Sequence, residues 1–438
     1  MHMKFWKYGR IALALVVSLG MGLSFIACGT YTIGYLYVSA YGIATTNPNQ
    51  RLNQIAGYKI DHDFGYLTPI TGSPFAANGD EPVQMALVPG GQLLAVLNKG
   101  SNSVSMYSIG GSGVLTFQGN YFTSGSTPVS IAISPNGQYL FTADQIAPDG
   151  SGRGDITVFS IDKNTGKLTL VTNQNTFNTN GQQETYFEVN YKPVQIAFAA
   201  GYIYALDQGY APGTTIIPAN GSTPAVVCGQ NGVTCTPDVF PYQLNGPNGQ
   251  LILTQNQPLQ TGSAPGALST MGVASNGEYL YLADTVANQI LPFTVGTSGQ
   301  LQTLVGGPVS NATGAVNPDA ILANSNAKFL YVANFGQSSI NAPNSTITAY
   351  TINASNGQLQ LIPGATSSSN GSFPVGSGPI WMVEDPSNQY LYTANYNDST
   401  ITGDIIDANT GQLTPLFKGP VTNAPLQPNY LVVSGRVF

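Results

Sequence analysis

Short apolar runs recur along the chain in a fixed order, each bounded by Gly, Asn, Pro or Ser. The first run of each set follows a proline: Pro82, Pro128, Pro193, Pro265, Pro318, Pro379 and Pro428. The fullest copy reads Pro128-Val-Ser-Ile-Ala-Ile-Ser-Pro-Asn-Gly-Gln-Tyr-Leu-Phe-Thr-Ala-Asp144. Runs such as Met85-Ala-Leu-Val88, Ile131-Ala-Ile133 and Trp381-Met-Val383 are continuous and brief, which fits strands buried on both faces. Asn136-Gly137 and Asn276-Gly277 supply the positive φ that a two-residue hairpin needs. The second runs are aromatic and β-branched, as in Tyr139-Leu-Phe-Thr142, Tyr279-Leu-Tyr-Leu282, Phe329-Leu-Tyr-Val332 and Tyr390-Leu-Tyr-Thr393. A third run follows (Ser103 to Ile109, Ile156 to Ile161, Thr346 to Ile352, Thr400 to Ile406). A Gly turn then leads to a fourth, as in Asn356-Gly-Gln-Leu359 and Thr410-Gly-Gln-Leu413.

Four antiparallel strands repeated every 46 to 72 residues predict a radial array, because one small sheet cannot bury both faces alone. Tyr35-Leu-Tyr-Val38 matches a second strand with no first strand before it. Pro428-Asn-Tyr-Leu-Val-Val433 matches a first strand with no second strand after it. Joining the two closes the ring and removes two exposed sheet edges. The expected fold is therefore all-β: a single seven-bladed β-propeller over residues 28–438, its C-terminal strand completing the N-terminal blade. Two copies depart from the pattern. In the fifth, Leu268 stands where the proline is expected, and in the fourth a loop from Gln208 to Pro237 parts the second and third strands. Long loops on a rigid repeat are where binding residues concentrate.

Lys4, Lys7 and Arg10 followed by the apolar Ile11 to Ala27 read as an export signal over residues 1–27. Phe25-Ile-Ala-Cys28-Gly29 resembles a bacterial lipoprotein box, with Phe25 where Leu is usual. That resemblance implies lipid attachment at Cys28 and an envelope location, at the outer membrane since Gly29 is not Asp. The alternative is an ordinary signal cut nearby, with Cys28 incidental. The remaining cysteines, Cys228 and Cys235, lie in the fourth-blade loop, where an oxidising compartment favours a disulfide over a metal site lacking further ligands. Of 13 basic residues three belong to the signal, and the chain carries 20 acidic ones. An acidic balance without a basic cluster argues against nucleic acid as a partner. A monomer touching the membrane only through its anchor is expected.

Ser134-Pro-Asn-Gly-Gln-Tyr-Leu140, Tyr331-Val-Ala-Asn334, Ile161-Asp-Lys-Asn-Thr-Gly-Lys-Leu168 and Ser73-Pro-Phe75 resemble the seven-bladed lactonase family. That family includes 6-phosphogluconolactonases, and the Tyr-Val-Thr-Asn surface-repeat propellers are related. The resemblance covers nearly all of residues 28–438 and implies hydrolysis of a sugar or related lactone. Every matching phrase is a structural repeat element, so it speaks for fold more than activity. Family members with activity often carry His just after the proline opening a first strand. Here those positions hold Val83, Val129, Val194, Asp319, Ile380 and Asn429, with the fifth blade out of register. The one histidine beyond the signal, His62, falls in an outer hairpin. A phosphorylated lactone is a cytoplasmic metabolite, so an exported member implies an unphosphorylated substrate.

The second strands end in Asn98, Asp144, Asp207, Asp284, Asn334 and Asn395, which the propeller places in a ring near the channel mouth. Clustered carboxylates there suit a general base or a divalent cation. The same residue types also end strands by bonding the following turn. Recurrence in every blade favours that second role, since a functional residue should be singular. Glu81, Lys99, Arg153, Glu184, Glu188, Lys192 and Glu384 are singular charges near predicted strand starts and mouth loops. Glu184, Glu188 and Lys192 join the Cys228–Cys235 loop to make the sector of blades three and four the favoured binding side. No resident cofactor is expected, apart from the cation option. Two functions remain open: lactone hydrolysis at the channel mouth by carboxylate-assisted water attack, or a non-catalytic envelope module recognising a glycan or protein.

Overall fold

The computed structural model describes residues 31–44, 47–219, 224–254, 258–337, 345–364, 371–422 and 424–435. The segment read as a signal and Cys28 lie outside these residues. No helix among them is long and apolar enough to cross a membrane.

Seven antiparallel sheets follow the predicted strand order, as in blade 3 with Ser126–Ile133, Tyr139–Ile146, Asp155–Ile161 and Leu168–Leu170 from axis to rim. The inner strands of blades 2 and 4 to 7 are Pro82–Leu87, Pro193–Ala199, Leu268–Val273, Pro318–Ala323 and Pro379–Glu384. Each inner strand packs against the next, and the ring closes through Pro428–Gly435. That C-terminal strand pairs with Thr32–Ala40 from Gly34↔Gly435 to Ala40↔Pro428, so blade 1 is built from both chain ends. In blade 5, Leu268 pairs with Asp284 as Pro128 pairs with Asp144, confirming its substitution for the proline.

The core is seven wedges of apolar contact, one between each pair of neighbouring blades. A repeated clasp explains the aromatic second strands. The hydroxyls of Tyr37, Tyr204, Tyr281, Tyr331 and Tyr392 each donate to a carbonyl in the next blade's outer hairpin: Gly113, Gly299, Gly357, Gly411 and Gly65. Those hairpins must carry glycine. At Gly357, φ is 69° and an added Cβ would lie 2.3 Å from the Tyr279 ring.

The outer edge differs from a plain fourth strand. In blades 1, 3, 4, 5 and 6 a second short piece also pairs with the third strand, as Ser372–Pro374 does beyond Leu359–Leu361 in blade 6. The Gln208 to Pro237 loop carries its own hairpin, Thr215–Ile217 with Val226–Val227, and a Cys228–Cys235 disulfide with Cα atoms 5.7 Å apart.

Candidate functional site at the axial mouth

The inner strands enter the ring through a bulge. Register shifts between the proline and the residue two positions on in blades 2, 3, 4, 6 and 7, and at the equivalent places in blades 1 and 5. The extra residue leaves the ladder. Around the axis these residues are Asn429, Val83, Val129, Val194, Ser269, Asp319 and Ile380. All seven keep partial solvent access, although they stand on the innermost strand of each blade. The free edge of every inner strand faces the ring axis.

The rim of this ring is held in an uncommon conformation. The residues before the inner-strand prolines have positive φ: Glu81 54°, Thr127 60°, Lys192 60°, Asn317 57°, Gln427 54° and Gly378 67°. Non-glycine residues adopt this region at a cost that surrounding structure must offset. Neighbouring loops do so by accepting from their amides. Glu81 N bonds Asn53 Oδ1 (3.1 Å), Thr127 N bonds Asn102 Oδ1 (2.8 Å) and Gln427 N bonds Ser399 Oγ (3.1 Å). The mouth is therefore a pinned frame.

Side chains one position beyond the bulge cover the free backbone edge. Gln84 Oε1 accepts from Ile131 N (2.5 Å), Ser130 Oγ from Ile196 N (3.1 Å) and Gln195 Oε1 from Met271 N (2.5 Å), each across to the next blade. The girdle changes character in blades 6 and 7, where the equivalent residues are Ala320 and Trp381, the latter stacked on Tyr430 at 4.2 Å.

Asp319 is the single ionisable group in the ring of bulge residues. Burial pushes its carboxyl up to about 6. The other polar members of the ring are tied back to the frame: Ser269 Oγ donates to Pro318 O (3.0 Å) and Asn429 Nδ2 to Pro82 O (2.6 Å). A partly exposed carboxylate with a pKa just below neutrality is suited to general-base work. In the sequence Asp319 stands directly after Pro318, where active lactonase-family members often carry His. The usable signal was that it is the only charge among seven equivalent places.

The six strand-ending residues are placed differently. Asn98, Asp144, Asp207, Asp284, Asn334 and Asn395 are at most 2% exposed, and each bonds to nearby strand or loop groups. Asn98 Nδ2 donates to Ser105 Oγ (2.8 Å), Asn334 Nδ2 to Thr348 Oγ1 (2.9 Å) and Asn395 Nδ2 to Thr402 Oγ1 (2.9 Å), while Asp144 Oδ2 accepts from Thr157 Oγ1 (3.0 Å). These partners share one position, the third residue of the third strand. Blades 4 and 5 have Phe240 and Leu291 there. Asp207 instead accepts from Asn190 N (3.1 Å), and Asp284 accepts from the turn amides of Val286 (3.1 Å) and Ala287 (2.8 Å).

Two of the six meet a second carboxyl directly across the ladder: Asp144 opposite Asp155, and Asp207 opposite Asp238. Burial pushes Asp144 up to about 7 and, with the Asp144 charge beside it, Asp155 up to about 9. Burial likewise raises Asp238 to about 6, and burial and its partner raise Asp207 well above the usual range. Among the described residues, no three or more His, Cys, Asp or Glu converge as a metal-ligand group.

Of the singular charges, Arg153 and Glu188 come together as an ion pair at 3.3 Å. Lys192 Nζ turns instead over the Tyr210 ring, 5.5 Å away. Glu384 accepts from Ser325 N (2.8 Å) at the far end of its inner strand. His62 is exposed in the outer hairpin of blade 1, beside Asp63.

The family model described as "Lactonase, 7-bladed beta-propeller" matches residues 32–129, 84–183 and 237–428. A Formosa agariphila protein named 6-phosphogluconolactonase is 27% identical over 320 residues, 67% of this chain and 85% of that protein. A Yersinia pestis protein of the same name is 26% identical over 152 residues, 35% of this chain and 40% of that protein. Among solved structures, a Pseudomonas aeruginosa periplasmic gluconolactonase superposes with a TM-score of 0.64 at 16% identity, covering 93% of this chain and 100% of that one. A Lactobacillus plantarum protein gives 0.60 at 17%, covering 92% and 99%. At these identities the structural likeness establishes the fold.

Proposed function

The chain belongs to the seven-bladed β-propeller lactonase family, and from that premise we propose that it hydrolyses an unphosphorylated sugar-type lactone at the axial mouth. The observation that carries the proposal is Asp319, a lone carboxyl on the channel side of the inner ring with its pKa raised to about 6. In this mechanism its carboxylate takes a proton from water as the water oxygen attacks the lactone carbonyl. The tetrahedral intermediate then collapses with cleavage of the ring C–O bond. Asp319 returns the proton to the leaving alkoxide, and the product is the open hydroxy acid.

The developing oxyanion needs a donor. Gln84, Ser130 and Gln195 cover the inner-strand amides of blades 3, 4 and 5. Ala320 brings no acceptor to the corresponding amide of Met382 in the blade beside Asp319, and that amide is our candidate donor. No Arg or Lys belongs to the ring of bulge residues, and Lys192 above it is drawn to Tyr210. A phosphate would call for such cations, which supports a neutral substrate. Export by residues 1–27 and anchoring at Cys28, which we also propose, would place the site where unphosphorylated lactones are met.

Proton release in a pH-stat, with phosphorylated and unphosphorylated aldonolactones, tests this directly. The expected result is turnover of an unphosphorylated lactone, with kcat/KM rising through pH about 6 as Asp319 ionises. Asp319→Asn should lower kcat about 10²- to 10⁴-fold at unchanged Tm. Full turnover by that variant would remove Asp319 from the mechanism. Preference for the phosphorylated lactone would overturn the substrate class, and no turnover on any lactone would overturn the activity.

A further inference from the structure

Blades 3 and 4 enclose a cleft of about 690 Å³, lined by third- and fourth-strand residues of blade 4 and by the loops around them. Phe240 and Tyr242 form one side, their rings stacked 6.2 Å apart at 23°. Leu251 and Leu253 continue it outward. The opposite side is the segment from Phe187 to Tyr191, which carries Glu188 and Asn190. Arg153 lies across the opening, paired with Glu188 at 3.3 Å and 5.9 Å from the Tyr191 ring.

This cleft is braced from beneath. Tyr242 Oη donates to Glu188 O (2.7 Å). Asn190 donates from its backbone to Asp207 (3.1 Å) and from Nδ2 to Asp238 (2.8 Å), so one buried carboxyl fixes its main chain and the other its side chain. The third wall, Asn231 to Thr234, is the loop closed by Cys228–Cys235, both buried against Tyr191. A rigid, half-apolar cleft of this size falls within the roughly 300–1,000 Å³ typical of small-molecule sites.

We propose that this cleft is a second site, separate from the axial mouth, and that it binds a neutral oligosaccharide. Arg153 and Glu188 each retain about half of their side-chain exposure, 47%. Together they present a donor fork beside an acceptor, which matches vicinal hydroxyls that both donate and accept. Phe240 offers an apolar ring surface to the C–H face of a pyranose. The guanidinium is already neutralised by Glu188, so an anionic ligand would have to displace a carboxylate to reach it.

Isothermal titration with cellotriose, maltotriose, triacetylchitotriose and trigalacturonate tests the site. The expected result is saturable heat from at least one of the three neutral sugars, weakened tenfold or more by Arg153→Gln and by Phe240→Ala. Arg153 is exposed, so its variant keeps the test valid if Phe240→Ala fails to fold. Asp319→Asn should bind as the parent does, which separates this site from the lactonase proposal. No saturable heat with any neutral sugar, undiminished binding by Arg153→Gln, or tighter binding of trigalacturonate would each overturn it.

Discussion

Replacing Asp155 by Asn should make the protein less sensitive to alkali, by an amount set by one proton. Asp155 and Asp144 face each other on adjacent strands, and neither is exposed to solvent. In such surroundings two carboxyls do not both ionise. Asp144 is the better provided of the two, its Oδ2 accepting hydroxyls from Thr142 (3.2 Å) and Thr157 (3.0 Å). Asp155 has the longer bond from Thr157 (3.3 Å). Burial first, then Asp144 and more weakly Asp149, lift Asp155 to about 9, so it holds the shared proton through neutrality.

In the unfolded chain the same carboxyl titrates near 4. Between about pH 4 and 9 the folded protein thus keeps a proton that the unfolded chain releases, and stability falls as pH rises. One proton corresponds to about 1.4 kcal/mol per pH unit. Asp155→Asn removes that proton from both states and gives Asp144 an amide donor. Urea unfolding at pH 5, 6, 7 and 8 should show the variant's stability declining less steeply than the parent's by about 1.4 kcal/mol per unit. Over those three units the relative gain reaches about 4 kcal/mol. Asp144 and Asp404, which burial raises to about 7, and the Asp207–Asp238 pair titrate in both proteins and provide the background slope, so the difference between the two profiles reads Asp155. Parallel stability profiles for parent and variant would refute the shared-proton assignment.

Tyr281→Phe deletes one interblade clasp, the 2.9 Å bond to Gly357 O, and should cost about 1 kcal/mol in urea unfolding with the fold unchanged. A neutral result would show the hydroxyl adds nothing to ring packing. Removing residues 428–438 strips the inner strand from blade 1 and exposes the edge of Thr32–Ala40, so the cooperative thermal transition should vanish. A truncated protein with an unchanged Tm would contradict ring closure through the C-terminal strand.

The architecture was legible because each blade repeats the same physical problem. A strand buried on both faces must be apolar, a tight turn needs one residue of positive φ (Gly137 and Gly277, but Ala327 and Asn388 in blades 6 and 7), and the unmatched halves at the two chain ends must meet. Leu268 could be placed in the role of a proline from its distance to Gly277, and its pairing with Asp284 agrees. The cross-strand partners of the acidic strand ends were not legible. Asp155 and Asp238 begin third strands at unequal distances from Asp144 and Asp207, across a short loop in one blade and a long one in the other. Only the ladder shows that both loops return to the same register. The glycine–tyrosine clasps were hidden for a similar reason, since each joins residues of different blades.

Repetition also separates framework from chemistry, once the bonding of each copy is known. Where the third strand offers Ser or Thr, the polar end of the second strand bonds to it, in blades 2, 3, 6 and 7. Where Phe240 or Leu291 removes that hydroxyl, Asp207 and Asp284 find backbone amides instead. A position that keeps its structural bonds through such changes is being held for the fold. The bulge ring behaves in the opposite way. Its polar members Ser269 and Asn429 bond the next blade's proline carbonyl, while Val83, Val129, Val194 and Ile380 do without that bond. The ring thus tolerates its absence, and Asp319 is not required there for closure. An ionisable group that the frame does not need, kept partly exposed on the innermost strands with its pKa moved toward neutrality, is where the chemistry of this propeller should be sought first.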